Sequence, residues 1–498
     1  MTATERPDAT SPGTQDEDAA RLAALGYTSH FDRAMSLRAN FALGFTYLSP
    51  VVGVYALFAF ALAEAGPPMI WSFVLVGCGQ LLVALVFGEV VSQYPIAGGV
   101  YPWARRLWGR RWAWMTGWVY AWALLVTIAS VAYGAGAFAA TLFGVDLTVN
   151  FTIGTALVII ALATAVNFTG TRNLSRVATA GFVAEIVGAL FVGLWLILFE
   201  SQNSPADLFD SFGSAGDGSY LAAFLAAGLI GLYQFYGFEA CGDVAEEVRD
   251  PGRLIPRNMR LTIYVGGAVA IMVVLGFILA ADVPAVVAGE QADPIGAALT
   301  AAFGDTGSKL VLVIVLISFF SCTLSLQAAA SRMIYAYGRD EMVFASGFFG
   351  RFSRSSHVPP GALATAAVIP ALVVLGSRIS EDALTKIIAF AALGIYVAFQ
   401  MVVLAALRAR LKGWTPSGAF KLGAWGLPVN VAALAYGVAA GLNLAWPRTP
   451  DVSWYDNWIV VLSTAIVLAG GLVYMALARP WEKSTAAAGD AVAGQGGT

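Results

Sequence analysis

YLSPVVG, residues 47–53, and QFYGFEACGD, residues 234–243, each interrupt an apolar run that is otherwise long enough for an unbroken helix. In the first, Pro50 removes a backbone donor, clashes with the preceding turn and disfavours helix at Ser49. Gly53 then loosens the turn that follows. In the second, Gly237 and Gly242 bracket an ionisable residue, Glu239, inside an apolar stretch. A proline or glycine in a membrane helix is ordinarily a packing kink, so either break alone is weak evidence. The pair says more once the crossings between them are numbered.

With 58% hydrophobic and 12% charged residues over 498, the chain reads as a membrane protein and not as a string of soluble domains. Twelve apolar segments come near the roughly 20 residues a helix needs to cross the hydrocarbon core. They are 43–63, 69–91, 112–140, 151–168, 177–199, 220–244, 261–281, 310–336, 361–375, 384–407, 429–445 and 458–478. The polar, acidic start holds no short apolar region ahead of a small-residue cleavage site, so no signal peptide is expected. Lys and Arg are retained on the cytoplasmic side of a membrane protein. With the N-terminus inside, Lys309, Arg378, Lys386 and Arg448 alone of the 28 basic residues fall outside. Both termini are therefore expected in the cytoplasm. The bias of Arg over Lys and the Ala/Gly richness fit a GC-rich bacterial source, hence an inner, plasma membrane.

The two breaks fall in the first and sixth spans, and so in units that enter the membrane from opposite sides. That is the sequence mark of an inverted repeat, whose discontinuous helices meet near the midplane and form the substrate site. Unwound backbone is tolerated there only where it lines a cavity or is buried in protein. The half-helix after Gly53 is expected to aim free N–H groups at an anion such as a substrate carboxylate. The half-helix ending near Tyr236 is expected to offer carbonyls to an ammonium, making a zwitterion or amine the natural guest.

Four stretches carry a family resemblance: LGYTSHFDRAMSLRANFALGFTYLSPVVGVY from residue 25, GEVVSQYPIAGGVYPWARRLWG from 88, YQFYGFEACGDVAEEVRDPGRLIPRNM from 233 and AASRMIYAYGRDEMVFAS from 329. In this order they resemble the amino acid/polyamine/organocation (APC) permease superfamily, and most of all its amino acid/choline transporter branch. The similarity runs from about residue 25 to the end of the tenth span. It implies an all-α polytopic membrane protein of 12 transmembrane helices: a five-plus-five inverted repeat, leucine-transporter-like, with helices 1 and 6 broken and two extra C-terminal helices. The expected parts are a cytoplasmic tail over 1–40 with a disordered start, a transport core over 41–410, helices 11 and 12 over 411–478, and a second tail over 479–498. The resemblance also implies alternating access driven by an ion gradient or by exchange.

On the positions that match the family, Ser49, Pro50, Val51, Val52 and Gly53 form the unwound motif and contribute backbone to the substrate. Tyr233 sits where the family has an aromatic gate, with Phe235, Tyr236, Gly237 and Phe238 around the second break. Tyr120 and Trp122 on the third span are cavity candidates that helical packing explains equally well. Glu239 is the sharpest site, because a carboxylate at the midplane is costly and either pairs with a cation or binds a proton. Glu185 stands where proton-coupled relatives often carry a lysine, so a lysine-based coupling is in doubt; a carboxylate there carries a proton or helps hold a cation, with oxygens from Ser321 or Thr323 as expected partners. Glu89, Glu246, Glu247, Arg249 and Arg332 cluster at helix ends, and Glu89, Glu247 and Arg332 are expected to form an inner gate of salt bridges.

The same residues exclude other classes. A net charge of −3 leaves no electrostatic footprint for nucleic acid. Cys78, Cys241 and Cys322 have no metal or disulfide spacing, and His30 and His357 lie in polar flanks. No nucleotide loop or catalytic triad marks an enzyme, no cofactor is implied, and filter repeats of a channel are missing. A major facilitator carrier would show a long loop after the sixth span, where this chain has a short one. The expected function is a secondary active transporter importing an amino acid or related amine across the plasma membrane by alternating access, coupled to protons, with the substrate, a proton or sodium ion and the lipid bilayer as partners. The alternative is a choline, polyamine or 4-aminobutyrate carrier or an exchanger of the same fold.

Overall fold

The computed structural model describes residues 12–378 and 381–494, and the side chains of 17–378 and 390–494. The expected disordered start concerns residues 1–11, which lie outside the described residues. Regular structure among the described residues is helical, with two isolated bridges, Met35 to Val248 and Ser353 to Val358. Ten helical stretches are long and apolar enough to cross a membrane, and two shorter apolar helices, Tyr220–Gln234 and Pro360–Gly376, complete twelve spans.

The first span is two half-helices, Leu37–Leu48 and Pro50–Ala65. The second to fifth spans are Ile70–Gln93, Arg110–Phe143, Val149–Phe168 and Thr171–Phe199. The sixth runs through Tyr220–Ala227 and Leu229–Gln234, stops, and resumes as the single turn Ala240–Asp243. The seventh is Pro251–Ala280, and the eighth lies in Pro294–Arg339 after a non-helical Gly304. The last four are Pro360–Gly376, Glu381–Leu411, Gly426–Ala445 and Ile459–Ala478.

Burial sorts these helices into a core and a lipid-facing shell. The third span packs on the eighth and tenth, the second on the seventh, and the fifth on the seventh and eighth, with the first span between them. The eleventh span lies outside, against the tenth and second, and the twelfth against the tenth and third. Val187, Leu198, Phe199, Ile466, Leu472 and Leu477 are exposed. In water such surface would drive aggregation; in a bilayer it meets acyl chains as apolar as itself, and the chain is a multi-pass membrane protein.

Arg21, Arg33, Arg105, Arg106, Arg332 and Arg339 meet at one end of the bundle, called the basic face below. A short helix there, Val100–Leu107, is gripped by both tails. From the N-terminal side, Arg106 donates to the Leu25 carbonyl and Arg105 to the Tyr27 hydroxyl. From the C-terminal side, the Arg105 Nε–H donates to the Ala487 carbonyl at 2.9 Å, Gly489 and Ala491 donate back to the carbonyls of Arg105 and Arg106, and Asp490 pairs with Arg106.

Candidate functional site

In the first span the helix stops at Ser49, whose φ of +40° is left-handed. A non-glycine residue held there costs about 1–3 kcal/mol unless its surroundings fix it. They do. The Ser49 hydroxyl donates to Glu185 Oε1 at 2.5 Å and accepts from the Val52 N–H at 3.2 Å. The Val51 N–H donates to the same Oε1 at 3.1 Å, and Gly53 N–H to the Ser49 carbonyl. The second half-helix therefore begins at Pro50, earlier than the expected start after Gly53. Its first donors at Ser49 and Val51 are already satisfied, and the group at this positive helix end is the buried carboxyl of Glu185 rather than a substrate. Glu185 Oε2 has no hydrogen-bond partner among the described residues.

The expected partners of Glu185 point elsewhere. The Ser321 hydroxyl donates to the Ile317 carbonyl at 2.7 Å and that of Thr323 to the Phe319 carbonyl at 2.8 Å, both within their own helix. Ser321 does lie against Gly181, one turn before Glu185. The eighth span instead meets the first break through Cys322, whose S–H donates to the Tyr47 carbonyl at 3.2 Å.

In the sixth span the helix ends at Gln234 and resumes at Ala240. Gly237 has a φ of +111°, and a Cβ on it would stand 2.7 Å from Leu48 N, so here the backbones of the two breaks touch. The Gln234 side chain donates to the Leu48 carbonyl at 3.2 Å, a second tie between them. Glu239, fully buried, accepts the Gly237 N–H on Oε2 at 2.8 Å and faces the Tyr120 hydroxyl from Oε1 at 3.3 Å. That hydroxyl also lies 2.9 Å from Oδ2 of Asp243, a second fully buried carboxyl that the sequence reading did not single out. Its signal was present: four residues after Glu239, it occupies the same helical face.

Between the breaks lies a cavity of about 130 Å³, lined from the first span by Tyr47, Leu48, Val52 and Gly53, from the third by Thr127 and Ser130, from the sixth by Tyr233 and Tyr236, and from the eighth by Phe319 and Cys322. Several expected substrate residues fall outside this lining. Ser49 and Val51 are engaged with Glu185, Pro50 opens the half-helix between them, Gly237 meets Leu48, and Tyr120 meets Glu239. Phe238 packs on Phe87 and Phe399, and Phe235 on Phe73, Gly77 and Gly267, all away from the cavity. Trp122 packs edge-on against Trp118.

Toward the basic face, Arg332 and Glu247 form a two-pronged pair, Nε to Oε1 at 2.7 Å and Nη2 to Oε2 at 3.1 Å, with both side chains fully buried. Thr171 donates to the same carboxylate. Beside it Arg339 pairs with Glu246 at 2.8 Å, and Asp340 accepts from Tyr27, Tyr101 and Arg105. Glu89 is not part of this layer: it pairs with Arg410 and accepts the Leu422 N–H at 2.8 Å, tying the second span to the tenth and eleventh. Arg249 donates to the Arg33 carbonyl, outside the layer.

Residues 39–471 match the family model described as amino acid permease. The chain is 26% identical to the amino-acid permease BAT1 of Arabidopsis thaliana, over 94% of this chain and 96% of that one. It is 27% identical to the BAT1 homolog of Oryza sativa subsp. japonica, over 96% and 97%. Against the branched-chain amino acid permease BcaP of Lactococcus lactis the identity is 24%, over 89% and 95%. These relatives are carriers and not enzymes. Broken first and sixth spans meeting at a small cavity, and a family match over most of the sequence, lead to one assignment: the chain belongs to the amino acid permease family of the APC superfamily.

Proposed function

We propose that this permease is a secondary active transporter that imports a small, neutral amino acid across the plasma membrane by alternating access, coupled to protons, with both termini in the cytoplasm. The observation that carries the substrate reading is the cavity. At about 130 Å³ it is well below the ~300–1,000 Å³ of sites for drug-sized ligands. Its lining combines apolar side chains with hydroxyls and holds no carboxylate, arginine or lysine among the described residues. A polyamine would leave several charges unpaired there, whereas one ammonium can use the carbonyls at the end of the sixth-span half-helix. The name of the Lactococcus relative, a branched-chain amino acid permease, agrees with an apolar substrate side chain.

Proton coupling rests on Glu185. Its charge, set at the start of a half-helix, holds the first break in its present shape through Ser49 and Val51. A proton on the free Oε2 removes that charge and loosens the hold, so proton arrival and movement of the first span are linked. The layer of Glu247 with Arg332 and Glu246 with Arg339 acts as the inner gate, closed here on the basic face.

In proteoliposomes without sodium, an imposed inward proton gradient is expected to drive accumulation. Glu185→Gln, which keeps an acceptor oxygen and loses the charge, is expected to abolish accumulation while leaving substrate exchange within a few-fold of wild type. Sodium-dependent uptake indifferent to the pH gradient would sink the coupling.

A further inference from the structure

We infer that Glu239 and Asp243 form, through the Tyr120 hydroxyl between them, a proton-binding site in which two carboxyl groups hold one proton in common. Its place in transport rests on the reading above; its chemistry does not. A phenol has one O–H to donate. Tyr120 oxygen stands 2.9 Å from Asp243 Oδ2 and 3.3 Å from Glu239 Oε1. If both carboxyls were ionised, one of these contacts would be oxygen against oxygen with no hydrogen between. With one proton added both are satisfied: Tyr120 donates to an ionised Asp243, and a protonated Glu239 donates from Oε1 to the Tyr120 oxygen. Glu239 Oε2 stays free to accept from Gly237.

Among the described residues the surroundings supply no countercharge that would permit two anions. The groups facing the pair are Tyr47 from the first span, Tyr120 from the third, Tyr236 and Cys241 from the sixth and Tyr396 from the tenth. None is a cation. Arg332, which reaches the end of the same segment, is already closed on Glu247. Two like charges on one buried face cannot both persist without a cation, the logic that makes paired acids share a proton.

Two further observations point to a site in use and not a mere packing arrangement. Asp243 Oδ1 is buried with no hydrogen-bond partner among the described residues, and a Cβ on Gly99 would collide with it. The Tyr47 hydroxyl is also buried without a hydrogen-bond partner of normal geometry, and Tyr47 both interacts electrostatically with Glu239 and Asp243 and lines the cavity. Tyr47 thus stands between the cavity and Glu239, and Tyr120 between Glu239 and Asp243. Through Tyr120 the Glu239 proton passes to the phenol oxygen as the Tyr120 hydrogen passes to Asp243 Oδ2, so the acid and the anion change places and one proton stays on the pair.

The test needs no transport. Infrared difference spectra of the purified protein between neutral and alkaline pH are compared with those of the double variant Glu239→Gln/Asp243→Asn, so that Glu185 cancels. Wild type is expected to show one carboxylic acid C=O band assigned to the pair. Glu239→Gln is expected to lose it, because Asp243 alone takes the Tyr120 hydrogen bond as a carboxylate. Asp243→Asn is expected to lose it too, because Glu239 then accepts from both Tyr120 and Gly237. Tyr120→Phe, which keeps both acids, is expected to keep the band at a shifted frequency. A wild-type spectrum with no such band, or Asp243→Asn retaining it unshifted at full amplitude, overturns the shared proton. Failure of the transport reading appears instead as wild-type uptake blind to a pH gradient.

Discussion

Glu247→Gln separates a gate from a scaffold. In the described conformation Arg332 and Glu247 are fully buried and joined by two hydrogen bonds at 2.7 and 3.1 Å. Removing one charge of such a pair leaves the other buried without compensation, at a cost of about 3–5 kcal/mol. If the pair exists only while the basic face is closed, that cost falls on the closed conformation alone, since an open one returns Arg332 to water. At 1.4 kcal/mol per tenfold, the equilibrium then moves toward open by about 100- to 4,000-fold. Cys322 is a native reporter, because it lines the cavity beneath this layer. With Cys78 and Cys241 replaced by alanine, an impermeant thiol reagent applied at the basic face is expected to label Cys322 at least ten times faster in Glu247→Gln. Unchanged labelling together with a lowered thermal unfolding midpoint would refute the reasoning: the pair would then be present in every conformation and serve stability only.

Gly237→Ala places a Cβ against Leu48 backbone at a left-handed φ. Backbone strain of about 1–3 kcal/mol and overpacking of a similar size are expected to lower the thermal midpoint markedly; wild-type stability would show that the two breaks do not touch. Ser130→Leu puts an isobutyl group into the cavity, and is expected to abolish substrate binding in a thermal-shift assay while the apo midpoint stays near wild type, because the side chain fills an existing void. Retained binding would move the substrate site elsewhere.

Spans, breaks and family were legible because each has a one-dimensional signal: hydropathy over twenty residues, Pro50 after Ser49, Gly237 and Gly242 around an acid. The second break was placed to within a residue or two, and the first was misread by one turn. There Pro50 starts the new half-helix, as proline does at a first helical position, and Gly53 sits inside it. What the sequence could not reveal is which donor meets which acceptor. Glu185 was legible as an expensive charge, but its partner on the first span, 134 residues away in the chain, exists only through packing. Glu89 and Glu247 look alike as acids at helix ends, and only the fold sends one to Arg410 and the other to Arg332. Phe238 and Tyr236 are two residues apart on unwound backbone, where no period says which ring faces the cavity.

The clip formed by residues 487–491 on Arg105 and Arg106 has a consequence for biogenesis. These residues follow the twelfth span, so all twelve are synthesised before the clip exists. The seal at the basic face is therefore the last contact layer to be completed. A protease cut or a bulky fusion just after Ala478 would leave every span in place and still leave that seal unfinished.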